Sequence, residues 1–443
     1  MRETIVDNVR AAGVVGAGGA GFPTHIKLQF EAEHVLGNGA SCEPLLKSDP
    51  YLMEYHTDLV LDGLRIVMDC THADKGTICL KSKHPQATAK LKEAIAAGKN
   101  ADRTDLFQLE DFYPAGDEFI LVNEVLGKIV PEGGIPLNVA TVVNNVESFV
   151  NISRAMQGKP VTDRYLTVCG EVRNPAVCKV PIGMPASAVI AMAGGASISD
   201  YAAVMGGPMM GRVLTNNDEP VTKTTSGIIV LPSGHTVVQG KQKSLEQMRR
   251  IAKSACTQCS RCTDLCPRYL IGHSIQPHKI MRHLAYTPGM MGDILEDALI
   301  CCECGVCEKF ACPMMLSPRE INAAIKQKLL SQGVKRDVPR KTYQVSTFKE
   351  TRKIPLKRLM QRLDVSQYDL PLPFYENEIR VNEVSIPLQQ HIGKPAVPVV
   401  KTGDRVEKGN LIGEIPENLL GARVHASIDG VVTSVGDSIV IKR

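Results

Sequence analysis

Tryptophan is absent from this chain, and aromatic residues make up only 4% of its 443 positions. Stacking on aromatic platforms is therefore not expected to dominate flavin binding or nucleic-acid binding. The formal net charge of +4 is small and gives no warrant for a nucleic-acid partner. No apolar run reaches the ~18 residues that a membrane span needs. The opening residues, MRETIVDNVRAAG, are neither basic nor apolar in the manner of a secretory signal. These absences predict a soluble, cytosolic protein, a setting that does not support disulfides. What remains is ordinary for a globular chain: 44% hydrophobic residues and a length that predicts roughly three or four domains.

Cysteine, by contrast, is plentiful: nine of the 14 fall in one stretch, eight of them at two tight spacings. The first run is Cys256-x2-Cys259-x2-Cys262-x3-Cys266-Pro267, and the second is Cys301-x2-Cys304-x2-Cys307-x4-Cys312-Pro313. Three thiolates at x2 spacing wrap one loop around an iron–sulfur face. A remote fourth Cys followed by Pro closes the cage. The first run fits the bacterial ferredoxin spacing, and the second differs by one inserted residue. The expectation is two [4Fe–4S] clusters. Zinc is the first alternative, although it usually takes two separated pairs. A disulfide framework is the second. In two-cluster ferredoxins the fourth Cys of each run serves the other cluster. The expected sets are therefore Cys256, Cys259, Cys262 and Cys312, and Cys301, Cys304, Cys307 and Cys266. Cys302 is a neighbour that the x2 register passes over. Cys42, Cys70, Cys79, Cys169 and Cys178 lack ligand spacing and read as buried free thiols.

Near the start, a short helix is expected over residues 3–12, followed by Val14-Val15-Gly16-Ala17-Gly18-Gly19-Ala20-Gly21-Phe22-Pro23-Thr24. Gly16-x-Gly18-x-x-Gly21 fits the dinucleotide fingerprint, but a Rossmann unit wants a full strand before it. Four glycines in six residues bring backbone N–H groups close to something, and a phosphate suits them. Pro23 suits a helix start, and Lys27 lies one turn on, within reach of the same anion. The alternative is a plain tight turn with a solvated lysine. Residues 1–155 alternate short apolar runs with helical patterns, as an α/β domain does.

Four stretches in this region are similar, in order, to the FMN-binding fold of the flavoprotein subunit of respiratory complex I. They are GAGGAGFPTHIKL, NGASCEP, YPAGDE and TVVNNVES. They resemble the C subunit of the Rnf electron-transport complex more closely still. That resemblance implies an FMN phosphate held by Gly16, Gly18, Gly19, Gly21 and Lys27. It implies a ribityl chain and isoalloxazine held by Asn38, Glu43, Tyr113, Gly116, Asp117, Glu118, Asn144 and Asn145. Ala40-Ser41-Cys42-Glu43 stands where the complex I subunit has a longer acidic loop.

Further along, Tyr165–Gly170 reads as a strand, and Gly183-Met184-Pro185 precedes a helix through Ala193. Val204-Met205-Gly206-Gly207-Pro208-Met209-Met210-Gly211 resembles the β-grasp domain of the Rnf C subunit, with both methionines read as packing. Helices are expected from Leu245 to Lys253 and from Pro318 to Leu330, the second capped by Ser317. Residues 335–362 hold ten Lys or Arg against Asp337 and Glu350. That imbalance suggests a solvated linker, or a docking surface for an acidic partner or a phosphate-bearing cofactor. The segment 381–443, with Gly-Asp turns and short β-rich runs, looks like the barrel-sandwich module of biotinyl and lipoyl carriers. Gly430 follows Asp429 where a carrier would have its lysine, so covalent carriage is not expected.

The expected fold class is thus a multidomain α/β protein. It comprises an FMN-binding α/β domain (1–155), a β-grasp, SLBB-like domain (160–240), a helical ferredoxin-type domain with two [4Fe–4S] clusters (244–330), a basic linker (331–379) and a barrel-sandwich hybrid domain (380–443). In the Rnf C subunit the sandwich stands at the N-terminus, whereas this order resembles the cobalamin reductases of propanediol-utilisation microcompartments. The resemblance implies electron flow from NADH through FMN and the clusters to cobalamin, from Co(III) to Co(II) or Co(I). It also implies a corrinoid substrate, a cobalamin adenosyltransferase partner, microcompartment proteins nearby and a cytoplasmic location within the compartment. No Asp-x-His-x-x-Gly cobalt-ligand run is present, so corrinoid contact would be transient. No general acid or base is nominated. The alternative is an Rnf C-like relay without its own NADH activity, docked on a membrane or microcompartment redox partner.

Overall fold

Four parallel strands frame the first 155 residues: β1 (His34–Gly39), β2 (Lys75–Lys81), β3 (Thr104–Leu109) and β5 (Thr141–Asn145), in the order β3-β2-β1-β5. They belong to a computed structural model that describes residues 2–98, 101–286, 293–336, 342–377 and 379–443. Both faces of this sheet are covered, as parallel sheets require. On one face the helices Thr57–Thr71 and Val146–Met156 cross so closely that a Cβ on Gly63 would stand 2.1 Å from the Phe149 carbonyl oxygen. The other face packs Leu36, Cys79 and Val143 against Leu121 of the helix Glu118–Leu126. A short strand, β4 (Phe112–Tyr113), lies outside this sheet.

The expected first helix forms over Arg2–Ala11. No strand precedes the glycine loop; Val15 makes only an isolated bridge to Pro23. The helix after it is a single turn, Thr24–Lys27, with Pro23 at its N-cap rather than inside. The loop therefore lacks the strand–turn–helix setting of a Rossmann fingerprint.

The next unit is a mixed sheet built from β6 (Asp163–Gly170), β7 (Ala176–Pro181), β8 (Tyr201–Met205), β9 (Arg212–Val213) and β10 (Gly227–Pro232). Strand β10 runs parallel to β6, and β7 runs antiparallel to β6. The helix Ala186–Met192 packs on it through Ala186, Val189 and Ile190.

The stretch between the cysteines and the C-terminal module is not a separate linker. Strand β11 (Ile354–Pro355) pairs with β4. The helix Leu356–Leu363 buries Leu356, Leu359, Met360 and Leu363. Strand β12 (Phe374–Tyr375) joins the second sheet beside β7. Several cations of the basic stretch are neutralised internally: Lys349 and Lys353 by Glu124, Lys353 by Glu110, and Arg336 by Glu132 and Asp297. The expected solvated linker is thus corrected to a salt-bridged clamp between domains, because apolar residues at helical spacing give it a face to bury. Its Asp337, Arg340 and Lys341 lie outside the described residues.

The C-terminal module has two sheets. One is β13 (Glu383–Pro387), β19 (Ser438–Lys442), β18 (Gly430–Val435) and β15 (Arg405–Val406), in that spatial order. The other is β14 (Val397–Pro398), β16 (Leu411–Glu414) and β17 (Val424–His425). A Cβ on Gly430 would meet the Lys442 carbonyl at 2.2 Å, so the turn after Asp429 is closed by packing. Around the cysteines, helices Leu245–Ala255, Pro277–Tyr286 and Pro318–Ser331 share a core of Met248, Ala252, Ile280, Met281 and Ile321. Ser244 caps the first through a reciprocal box with Gln247. Ser317 stands at the N-cap of the last but makes no capping hydrogen bond, so that expectation is corrected. Among the described residues no helix is long and apolar enough to cross a membrane.

Candidate functional site

Open α/β sheets take ligands in the crevice outside the C-terminal ends of their strands. Asn38 and Asn145 stand side by side there, paired across β1 and β5. Asn38 Nδ2 donates to the Gly116 carbonyl at 2.9 Å. A Cβ on Gly116 would fall 3.3 Å from Asn38 Oδ1 and 3.2 Å from Cys42 Sγ, a tight fit against both side chains. Asn145 caps its helix by accepting from Glu147 N–H, and its Nδ2 donates to Asp49 and to the Asn38 carbonyl. Asn144 differs from both. It is 2% exposed, and neither its amide nitrogen nor its amide oxygen has a partner. A buried, fully orphaned amide is costly unless a ligand completes it, so the crevice fits a polar cofactor such as FMN.

The glycine loop is held from outside itself. Ala17 N–H donates to Ser148 Oγ at 2.9 Å, and the Ala17 carbonyl accepts from Arg164. Arg164 forms a buried ion pair with Glu147 at 2.7 Å. Gly19 has φ +65° and open space around it; Gly18 lies against Asn145. Gly21, with φ +69°, is pressed by Thr224 and His391, and Ile392 N–H donates to the Ala20 carbonyl. Lys27 Nζ donates to the Val143 carbonyl at 2.8 Å and stands 3.7 Å from Glu118. It therefore sits by the middle of β5, between that strand and the start of the helix Glu118–Leu126.

Three expected flavin residues face other domains instead of open space: Asp117 and Tyr113 face the cysteine domain and Glu43 the β-grasp domain. Asp117 caps the helix Glu118–Leu126 and pairs with Arg268 at 2.9 Å. Tyr113 is buried, and its hydroxyl donates to the Cys304 carbonyl at 2.6 Å. Glu43 accepts from Met209 N–H at 3.0 Å and Met210 N–H at 2.8 Å. Burial raises the Glu43 carboxyl, while those amides pull it back down. The Met209 carbonyl in turn accepts from Lys241 and Arg319. Met209 is buried, as expected of packing, but Met210 is exposed.

Lys81 was not singled out in the sequence. It ends β2 with no exposed side-chain area, 2.9 Å from Asp111, which Lys83 also approaches at 3.2 Å. The one available signal was a lysine closing the otherwise apolar strand GTICLK. Cys70, Cys79, Cys169 and Cys178 are buried thiols as expected. Cys42 is only partly buried as a residue, yet its thiol is enclosed and pushed up to about 11 by burial.

The eight motif cysteines surround two openings. The first is lined by Cys256, Cys259, Cys262 and Cys312; the second is lined by Cys266, Cys301, Cys304 and Cys307, with Cys302 beside them. Each remote cysteine thus stands with the other run. All 14 cysteines are unbridged. Among the described residues no three metal-ligating side chains draw together around a single ion.

Four family models match this chain. They are the Nuo51 FMN-binding domain over residues 9–154, the SLBB domain over 165–213, a 4Fe-4S dicluster domain over 255–317 and the RnfC barrel-sandwich hybrid domain over 376–443. Cobalamin reductase PduS of Citrobacter freundii is 42% identical over 98% of this chain and 95% of its own length. The Salmonella typhimurium PduS is 42% identical over 99% and 96%. The chain belongs to the PduS cobalamin reductase family. It holds an FMN-binding domain and a 4Fe-4S dicluster domain, so the zinc and disulfide alternatives are set aside. PduS members share their domains with Rnf proteins: the C subunit of the Na(+)-translocating ferredoxin:NAD(+) oxidoreductase complex of Acetobacterium woodii is 35% identical over 60% of this chain and 58% of its own. An NAD+-reducing [NiFe]-hydrogenase in the H2-reduced state shares the fold, with a TM-score of 0.50, 20% identity, and coverage of 77% of this chain and 64% of that one.

Proposed function

We propose that this chain takes electrons from NADH and passes them, by way of FMN in the crevice and one [4Fe–4S] cluster in each cysteine cage, to the cobalt of a corrinoid, lowering Co(III) to Co(II) or Co(I). The PduS relatives support the corrinoid substrate. The single observation that carries the route is the junction between crevice and second cage. There, the Tyr113 hydroxyl rests on the Cys304 carbonyl, and Glu43 holds the turn whose Met209 carbonyl Arg319 also grips.

When bound, FMN exchanges a hydride for single electrons and the clusters carry those electrons singly. The chain's residues bind and orient. Gly16, Gly18, Gly19 and Gly21 offer backbone to the phosphate, with Lys27 beside them. Asn144 offers both an acceptor and a donor, and Asn38, Asn145 and Gly116 shape the wall. Buried Tyr113, Leu45, Met209 and Val306 keep water out of the junction. Cys256, Cys259, Cys262 and Cys312 hold one cluster, and Cys301, Cys304, Cys307 and Cys266 the other. An adenosyltransferase partner and a microcompartment setting rest on the resemblance to propanediol-utilisation reductases.

One observation favours the relay reading: each carboxylate oxygen of Glu43 already accepts a backbone N–H, from Met209 and Met210, so the acid of this loop is engaged in holding the β-grasp turn. Anaerobic purification, cofactor analysis, and addition of NADH with and without cob(III)alamin decide between the two. Eight irons, one FMN and cobalt reduction support the reductase. Full cofactors with no NADH oxidation, even with an artificial acceptor, leave the relay.

A further inference from the structure

The two cages are lined differently. Around the first, the polar neighbours are Thr257, Gln258, Ser260 and His278. Gln258 donates to Cys256 Sγ at 3.5 Å, no Lys or Arg lines the opening, and none of these side chains leaves a buried polar atom without a partner. Around the second stand Arg268, Arg319 and Asn322, and each has a buried nitrogen with no protein partner: Arg268 Nε, Arg319 Nε and Asn322 Nδ2. Asn322 is 1% exposed, and its amide oxygen is orphaned too.

Three orphaned donors thus line the second opening and none lines the first, and a buried donor without a partner calls for an acceptor. The formal charges here are balanced locally. Arg268 pairs with Asp117, Arg319 with Glu320, Lys326 with Glu303 and Lys309 with Glu308. What distinguishes the second cage is therefore its unspent N–H groups rather than its net charge. Hydrogen bonds to cluster sulfurs stabilise the more negative, reduced state, and so raise the reduction potential.

Resting on the reading that each cage holds a [4Fe–4S] cluster, we propose that Asn322, Arg268 and Arg319 donate hydrogen bonds to the sulfurs of the cluster in the second cage, making it the more easily reduced of the two. The cluster beside the flavin crevice is then the one that holds an electron at rest, and the cluster at exposed Cys259 is the stronger reductant. Asn322 is a positioning and tuning residue, touching sulfur but not substrate.

The test is a redox titration of the whole, cluster-loaded protein followed by EPR. Cys259→Ala and Cys304→Ala variants identify which signal belongs to which cage. Asn322→Leu keeps the side-chain size and removes the donor. The expected result is a lower midpoint for the second-cage signal and an unmoved first-cage signal. Arg319→Met, which keeps an unbranched side chain but has no N–H at the Nε position, is the second variant should Asn322→Leu fail to fold, and the same one-sided shift is expected. Full iron content with no shift in either variant overturns the proposal, as does a shift confined to the first-cage signal. Unmodified protein that lacks iron for two clusters overturns the underlying cluster reading instead, and iron and sulfide analysis of the same sample shows which has failed.

Discussion

The glycine loop and the second cysteine run are of similar length, yet they take their shapes from different ranges of the chain. Cys301, Cys304 and Cys307 come from seven consecutive residues, and one distant residue, Cys266, completes their cage. The loop from Gly16 to Gly21 is set by Ser148, Arg164, Thr224 and Ile392, drawn from three domains. A cage is defined by local spacing plus one long-range contact, whereas the loop is defined by the assembly. The cages should therefore fail one thiol at a time, and the loop should fail with the packing around it.

The sharpest break concerns the crossed thiols. Cys266→Ser is expected to strip iron from the cage of Cys301, Cys304 and Cys307 while the cage of Cys256, Cys259 and Cys262 stays loaded, as read by iron analysis and EPR. Loss of the other cage alone would rule out the crossing. Next is the ion pair that holds the loop from below. Glu147→Gln leaves Arg164 buried without its carboxylate, a change that costs about 3–5 kcal/mol. Urea denaturation should show that loss, with FMN released at lower urea than iron. Gly21→Ala forces a Cβ into φ +69°, 2.8 Å from Thr224 Cγ2. Strain of this kind costs on the order of 1–3 kcal/mol, and FMN affinity should fall with cluster content unchanged.

The last effect is in pH. Burial holds His25 and His273 at about 4 and His425 at about 3. An unfolded histidine titrates near 6.5, so on acidification the unfolded chain takes up protons that the fold refuses. Stability should therefore be full above pH 6.5 and fall between 6.5 and about 4, by at most about 2 kcal/mol per histidine at pH 5. His25 follows the glycine loop and His425 lies in the adjoining module, so His25→Gln or His425→Gln should flatten the acid limb. A limb unchanged in both variants would show that the loop's surroundings are not acid-sensitive.

How much of this was legible followed the same division. The cysteine pattern carries its geometry in its spacing, so the eight thiols and their crossing could be read from Cys256 to Cys312. The alternation of β1, β2 and β5 with helices likewise announced an α/β sheet, because parallel strands need apolar runs. The commitment of Glu43 to Met209 and Met210 was not legible, since 166 residues separate the partners and no local periodicity links them. Nor was the role of the basic stretch, because charge counts do not reveal that Glu124 and Glu110 wait across the fold for Lys353. Lys81 escaped for a related reason: its burial depends on Asp111, which lies beyond the next helix and strand.

The C-terminal module is packed against the start of the chain. Lys223 binds the carbonyls of both Gly13 and Arg423, and a Cβ on Gly13 would strike the Arg423 carbonyl at 2.3 Å. The module is in effect a cartridge seated by its surface, not by its leash. Its position is thus fixed by residues that lie hundreds of positions away in the sequence.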